Sequence, residues 1–245
     1  TVAGAPSGVT ALRGDTQASV SFNAPISDGG AAITSYIVTS SPGNKTCTAS
    51  APNTSCDVTG LTNGTPYTFT VVAVNSVGNS LASTASSAVT PAGTPTAPTS
   101  ITATPGDSQA TIAFSGAGSN GSPITSYTIT ASPGGATATG SQSPITVTGL
   151  TNGTEYTFTV TATNSYGISN ASSASNSVTT ANVPGAPTSV TATVANGSSV
   201  VSVSGASANG SAITGYTVQA YDATGAVISG KSCTITSPAT SCTVS

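Results

Sequence analysis

Apolar residues return at every second position through much of the chain. Ala18, Val20 and Phe22 alternate with Ser19 and Ser21, and Tyr67, Phe69, Val71 and Ala73 alternate with Thr68, Thr70 and Val72. A period of two puts one set of side chains on one face of a strand, so each run predicts a strand buried on one side. Such runs predict strands near 8–13, 18–23, 33–40, 45–50, 55–59, 66–75 and 84–90, separated by Gly, Pro, Asn and Asp turns. Seven short strands in about 90 residues is the pattern of a β-sandwich.

The pattern then recurs. ITSYIVTSSPG (33–43), ITSYTITASPG (124–134) and ITGYTVQAYDATG (213–225) are three versions of one segment. The same offset carries TGLTNGTPYTFTVVAVNSVGNS (59–80) onto TGLTNGTEYTFTVTATNSYGIS (148–169), and APSGVTA (5–11) onto APTSITA (97–103) and APTSVTA (186–192). Repetition at this period predicts tandem units, here 1–92, 93–181 and 182–245. SCTVS (241–245) aligns with SCDVT (55–59), so the third copy carries no counterpart of the last two strands and reads as truncated after its fifth. A sheet without them leaves open edges, so the expectation is either continuation beyond Ser245 or strands supplied by another chain. Thr90 to Pro98 and Thr180 to Pro187 are short, Pro-containing links. They favour an extended array, on the order of 100 Å long at roughly 3.3 Å per strand residue.

Three features carry a family resemblance: Pro6, Pro98 and Pro187 opening the units, Gly-Leu ahead of a Tyr (Leu61 to Tyr67, Leu150 to Tyr156), and the Asn-Ser-x-Gly turn after that strand. Together they resemble the fibronectin type III repeat in its bacterial form. The resemblance implies tandem immunoglobulin-like, seven-stranded all-β sandwiches. The family usually places Trp on the second strand, where this chain has Phe22, Phe114 and Val203, so lighter cores are expected.

Composition narrows the chemistry. Of 245 residues only three are Lys or Arg and six Asp or Glu, with no His, Met or Trp and a net charge of −3. Arg13, Lys45 and Lys231 are too few and too scattered to neutralise a phosphate backbone, so no nucleic-acid partner is expected. Without His, Ser–His–Asp, Cys–His and His-ligated zinc sites are excluded. The carboxylates Asp15, Asp28, Asp57, Asp107, Glu155 and Asp222 mostly sit beside Gly or in turns, and no pair recurs between copies as glycoside hydrolysis would need. The chain reads as no enzyme, with no cofactor and no metal. No run of about 18 apolar residues offers a membrane span, and nothing at Thr1 reads as a signal peptide, as in a mature or excised chain. Solubility resting on Ser, Thr and Asn instead of charge fits a secreted or cell-surface protein.

Few residues stand out as sites. Cys47 and Cys56, like Cys233 and Cys242, have eight residues between them; zinc prefers closer pairs with further ligands, so the spacing reads as a disulfide between the fourth and fifth strands. Copy two has Ala138 and Ile145 near those places. Disulfides imply an oxidising compartment. Arg13-Gly14-Asp15 spells an integrin-recognition tripeptide but sits between the first two strands, where Pro105-Gly106-Asp107 and Ala195-Asn196-Gly197 read as plain turns. Tyr36, Tyr127, Tyr216, Tyr67 and Tyr156 recur with the repeat and read as core or corner residues. Tyr166, where copy one has Val77, is the best single candidate for a contact residue, and Arg13, Gly14 and Asp15 are the further contact candidates. Sequons occur at Asn44, Asn53, Asn63, Asn120, Asn152, Asn170, Asn196 and Asn209, several of them Asn-Gly turns. Lys, the usual guard of edge strands, is almost absent, which points to lateral or end-to-end assembly.

The function expected is a non-catalytic spacer of a secreted or surface bacterial protein: a stalk, filament or layer module, with adhesion a further role. The alternative is a linker region of a secreted polysaccharide-degrading enzyme. Expected partners are other copies of the chain, neighbouring repeats, cell-wall or surface polysaccharide, or host matrix.

Overall fold

The computed structural model describes all residues from Thr1 to Ser245 and contains strands but no helix. In the first unit β1 (Ser7–Arg13), β2 (Gln17–Asn23) and β5 (Ser55–Thr59) form one antiparallel sheet in the order β1-β2-β5. Its partner sheet contains β3 (Ile33–Ser41), β4 (Thr46–Ser50), β6 (Thr68–Asn75) and β7 (Gly78–Asn79), in the order β4-β3-β6-β7. The second unit repeats this. Here β8 (Thr99–Gly106), β9 (Gln109–Ser115) and β12 (Ile145–Thr148) face β10 (Ser126–Ser132), β11 (Thr137–Gly140), β13 (Glu155–Asn164), β14 (Gly167–Ile168) and β15 (Val178–Thr179). In the third, β16 (Ser189–Ala195), β17 (Ser198–Ser204) and β20 (Ser241–Val244) face β18 (Gly215–Tyr221) and β19 (Val227–Thr236).

The alternating positions fill the space between the sheets. Val20, Val38, Val58, Phe69 and Val71 are fully buried in the first unit, and Ile112, Ile129, Val147, Phe158 and Val160 in the second. Phe22 and Phe114 take the second-strand aromatic place and meet Tyr36 and Tyr127 with ring centroids 4.9 and 4.8 Å apart at steep angles, a favourable edge-on geometry. The smaller Val203 is buried in the third unit. There the inner face is open: Val190 is 63% and Val194 84% exposed, and a cleft of about 580 Å³ is lined by Val201, Val218, Ala220 and Val244.

One predicted strand is absent as such. Residues 84–90 form no ladder beyond an isolated bridge between Tyr67 and Val89. The longer stretch from Ser80 to Val89 pairs with β6 by another rule, set by serines three residues apart. The N–H groups of Ser80, Ser83 and Ser86 donate to the carbonyls of Ala73, Val71 and Phe69 at 2.8 to 2.9 Å. Their hydroxyls accept the N–H groups of those same residues at 2.9 to 3.1 Å. Each hydroxyl then donates to the following carbonyl at 2.8 Å. Ser169, Ser172 and Ser175 repeat the arrangement on Ala162, Val160 and Phe158. With a serine at every third position, the hydroxyl oxygen takes the place of a backbone carbonyl as acceptor for the facing N–H group.

Candidate functional site

The candidate residues converge on the boundary between the first two units. Gly14 N–H donates to Gln17 at 2.9 Å, closing the β1–β2 turn. Arg13, just before it, holds its guanidinium 5.6 Å from the ring centroid of Tyr166, which projects from the β13–β14 turn of the second unit. A cation over an aromatic face at an exposed site is worth about 0.5 to 1 kcal/mol. Tyr166 is aimed by Asn164, whose side-chain oxygen accepts the Tyr166 N–H at 2.8 Å while its nitrogen donates to the carbonyls of Gly93 and Ser119. Asp15 accepts a 2.7 Å hydrogen bond from Asn63 Nδ2, and Asn63 also donates to Asn120 Oδ1 of the second unit at 2.9 Å. Arg13, Gly14, Asp15 and Tyr166 thus belong to one inter-unit contact, with Gly14 adding its carbonyl as acceptor for Ala92 in the linker.

The backbone of this junction recurs at the next. Gly64 N–H donates to Pro91 as Gly153 does to Thr180; Ala92 to Gly14 as Ala181 to Gly106; Gly93 to Asn120 as Asn182 to Asn209. Asn152 Nδ2 donates to Asp107 at 2.9 Å, as Asn63 does to Asp15. The close approach requires glycine. A Cβ on Gly121 (φ +88°) would lie 2.4 Å from the Pro91 carbonyl oxygen and 2.8 Å from Gly64 N. On Gly210 (φ +94°) it would lie 2.5 Å from the Thr180 oxygen and 2.6 Å from Gly153 N. As turn residues alone, Asn63 and Asn152 need nothing beyond their own loops, so the bonds they make to the hairpin turn of their own unit, and the one that Asn63 alone makes across a boundary, had no local signal. It is their recurrence together with Asp15 and Asp107 that could have marked the former.

Elsewhere the side chains are locally engaged. Cys47–Cys56 joins β4 to β5 and Cys233–Cys242 joins β19 to β20. In the second unit Ile145 is buried and Ala138 packs against the core in place of a bridge. The hydroxyls of Tyr67 and Tyr156 accept the N–H groups of Thr62 and Thr151 at 3.1 and 3.0 Å, each tying down a turn. Asp28 closes its turn on Gly30, Asp57 accepts from Ser19, and Glu155 is bonded to Ser177. Asp222 accepts from the Thr224 hydroxyl and from the N–H groups of Ala226 and Thr224, which hold its carboxyl below the usual aspartate value. No three His, Cys, Asp or Glu side chains gather as metal ligands would.

A fibronectin type III domain model matches residues 4–89 and again 96–178. The chain belongs to the fibronectin type III family. Among solved structures it is similar to the chicken CNTN1 FN1-FN3 domains, with 19% identity, 98% of this chain and 88% of that chain covered, and a TM-score of 0.46. No curated protein sequence matches it. Fibronectin type III sandwiches are in general non-catalytic modules, and two tandem copies make this chain a structural, spacer-type array.

Proposed function

We propose that the array, divided at 92/93 and 181/182, is a stalk or filament module of a secreted or cell-surface bacterial protein. Its work is to hold its ends apart at fixed relative orientation, without bond-making chemistry. The observation that carries this reading is the repeated junction, in which linker, hairpin turn and Asn-Gly turn are bonded in one pattern at both boundaries. Linkers bonded on both sides bend less than free ones. The two disulfides fit an oxidising, extracellular compartment. The nearly charge-free surface fits association with further copies of the chain or with cell-wall polysaccharide.

Gly121→Ala compared with Gly30→Ala tests the reading. Both glycines lie in the left-handed region, at φ +88° and +81°, so both variants carry the same backbone strain, about 1 kcal/mol. Only at Gly121 does the added carbon strike another unit; at Gly30 it meets open space. ¹⁵N relaxation of the full chain should show units one and two reorienting more independently in Gly121→Ala, with Gly30→Ala like wild type. Unchanged relaxation in both would refute a junction-stiffened spacer.

A further inference from the structure

The chain carries five Asn-Gly pairs, at 63–64, 120–121, 152–153, 196–197 and 209–210. This pair has an intrinsic reaction. The glycine backbone nitrogen attacks the asparagine Cγ and expels ammonia, giving a five-membered succinimide; water then opens either carbonyl. The net change is amide plus water to carboxylate plus ammonium, leaving Asp or isoAsp. Reaction needs a side chain free to swing onto the nitrogen and an N–H free of its acceptor.

Four of the five pairs are held by the junctions. Asn63 accepts from Thr16 N and donates to Asp15 and Asn120, while Gly64 N–H is bonded to Pro91. Asn152 accepts from Ser108 N and donates to Asp107, while Gly153 N–H is bonded to Thr180. Asn120 and Asn209 donate to the linker carbonyls of Thr94 and Val183 at 2.8 Å, and their side-chain oxygens accept from Asn63 and Ser207. Asn196–Gly197 differs. It is the exposed two-residue turn joining β16 to β17, with Ala195 opposite Ser198. Neither the Asn196 side chain nor the Gly197 N–H is hydrogen-bonded, and nothing lies within 4 Å of the Gly197 Cβ position. The ungapped offset that places APTSVTA (186–192) on APSGVTA (5–11) and APTSITA (97–103) puts Asn196 where the first two units have Asp15 and Asp107.

We propose that Asn196 is a site of spontaneous, selective deamidation, and that the reaction installs at this turn the carboxylate that the other two units carry in sequence. The protection of the other pairs follows from their bonds. Asn63–Gly64 has four such bonds, Asn152–Gly153 three, and Asn120 and Asn209 two each on the side chain alone; at about fivefold slower opening per bond, two to four bonds give a preference on the order of 25- to 600-fold for Asn196.

The experiment is peptide mapping of the intact, oxidised chain incubated in mildly alkaline buffer, reading Asp and isoAsp at each pair over time. Asn196 should convert first by that margin, Asn196→Gln should remove the early product, and unfolding the reduced chain in denaturant should bring all five pairs to similar rates. Native-state conversion of the five at comparable rates, or an intact Asn196 while another pair reacts or while none does, would overturn the proposal. Persistence of the preference in denaturant would overturn its structural cause.

Discussion

Replacing Ser83 by Ala tests whether the serine hydroxyls really complete the sheet. Val71 is fully buried, and its N–H has the Ser83 hydroxyl as acceptor at 2.9 Å. The substitution leaves the Ser83 N–H to Val71 carbonyl bond in place and removes only the reverse one, together with the hydroxyl's 2.8 Å bond to Thr84. A buried donor left without acceptor costs about 1 to 3 kcal/mol, and the lost second bond about 0.5 to 1.5 kcal/mol. Allowing for partial relaxation, about 2 to 3 kcal/mol of local stability disappears, equivalent to roughly 30- to 150-fold faster opening. Native-state hydrogen exchange of the full chain reads this directly at the Val71 amide. Two references are built in: Val160, whose N–H is bonded to Ser172 in the second unit, should keep its protection, and exposed Ser87→Ala should change stability by less than about 0.5 kcal/mol. If Ser83→Ala and Ser87→Ala give the same Val71 exchange, the hydroxyl is not its acceptor and the period-three pairing is wrong.

Arg13→Ala and Tyr166→Val should each loosen the first junction by about 0.5 to 1 kcal/mol, with little further loss in the double variant, as read from a double-mutant cycle on inter-unit mobility. Reducing Cys47–Cys56, which spans a sequence separation of 9, should cost the first unit about 2.5 to 3 kcal/mol in urea unfolding, while the second unit, which has no cysteine, serves as the unchanged reference. Asp222 should titrate below its unfolded value of about 3.9. Because its folded value is depressed, the stability it lends the β18–β19 hairpin is complete above that range and is lost as pH falls through the folded value. Carboxyl NMR titration checks this, and Thr224→Ala should move the value upward.

The sandwich was legible because its strands obey one rule. Where Val20 or Phe69 is buried, residues two positions away are too, and the pattern names the face without reference to anything distant. The strand predicted at 84–90 escaped the rule because the stretch there pairs with a period of three. Ser80, Ser83 and Ser86 are small, polar and nearly buried, and no hydrophobic alternation marks a segment whose pairing depends on hydroxyls. The corner tyrosines and disulfide-bonded cysteines were readable for the opposite reason, since each has a single local partner set by the repeat.

The junctions divide along the same line. Asn63 and Asn120 lie 57 residues apart, in different units, and each has a sufficient explanation as a turn residue, so no pattern within one copy asks for the other. The contact between Arg13 and Tyr166 is legible only through departure from the repeat. The copies place Pro105 where the first has Arg13, and Val77 where the second has Tyr166. Two departures that meet across one boundary are hard to attribute to drift in either unit alone, because each is useful only with the other. The second boundary, lacking the arginine, keeps the shared Asp107 to Asn152 bond without the cation–π contact. In a tandem array, then, what recurs builds the unit, and paired exceptions distinguish one boundary from the next.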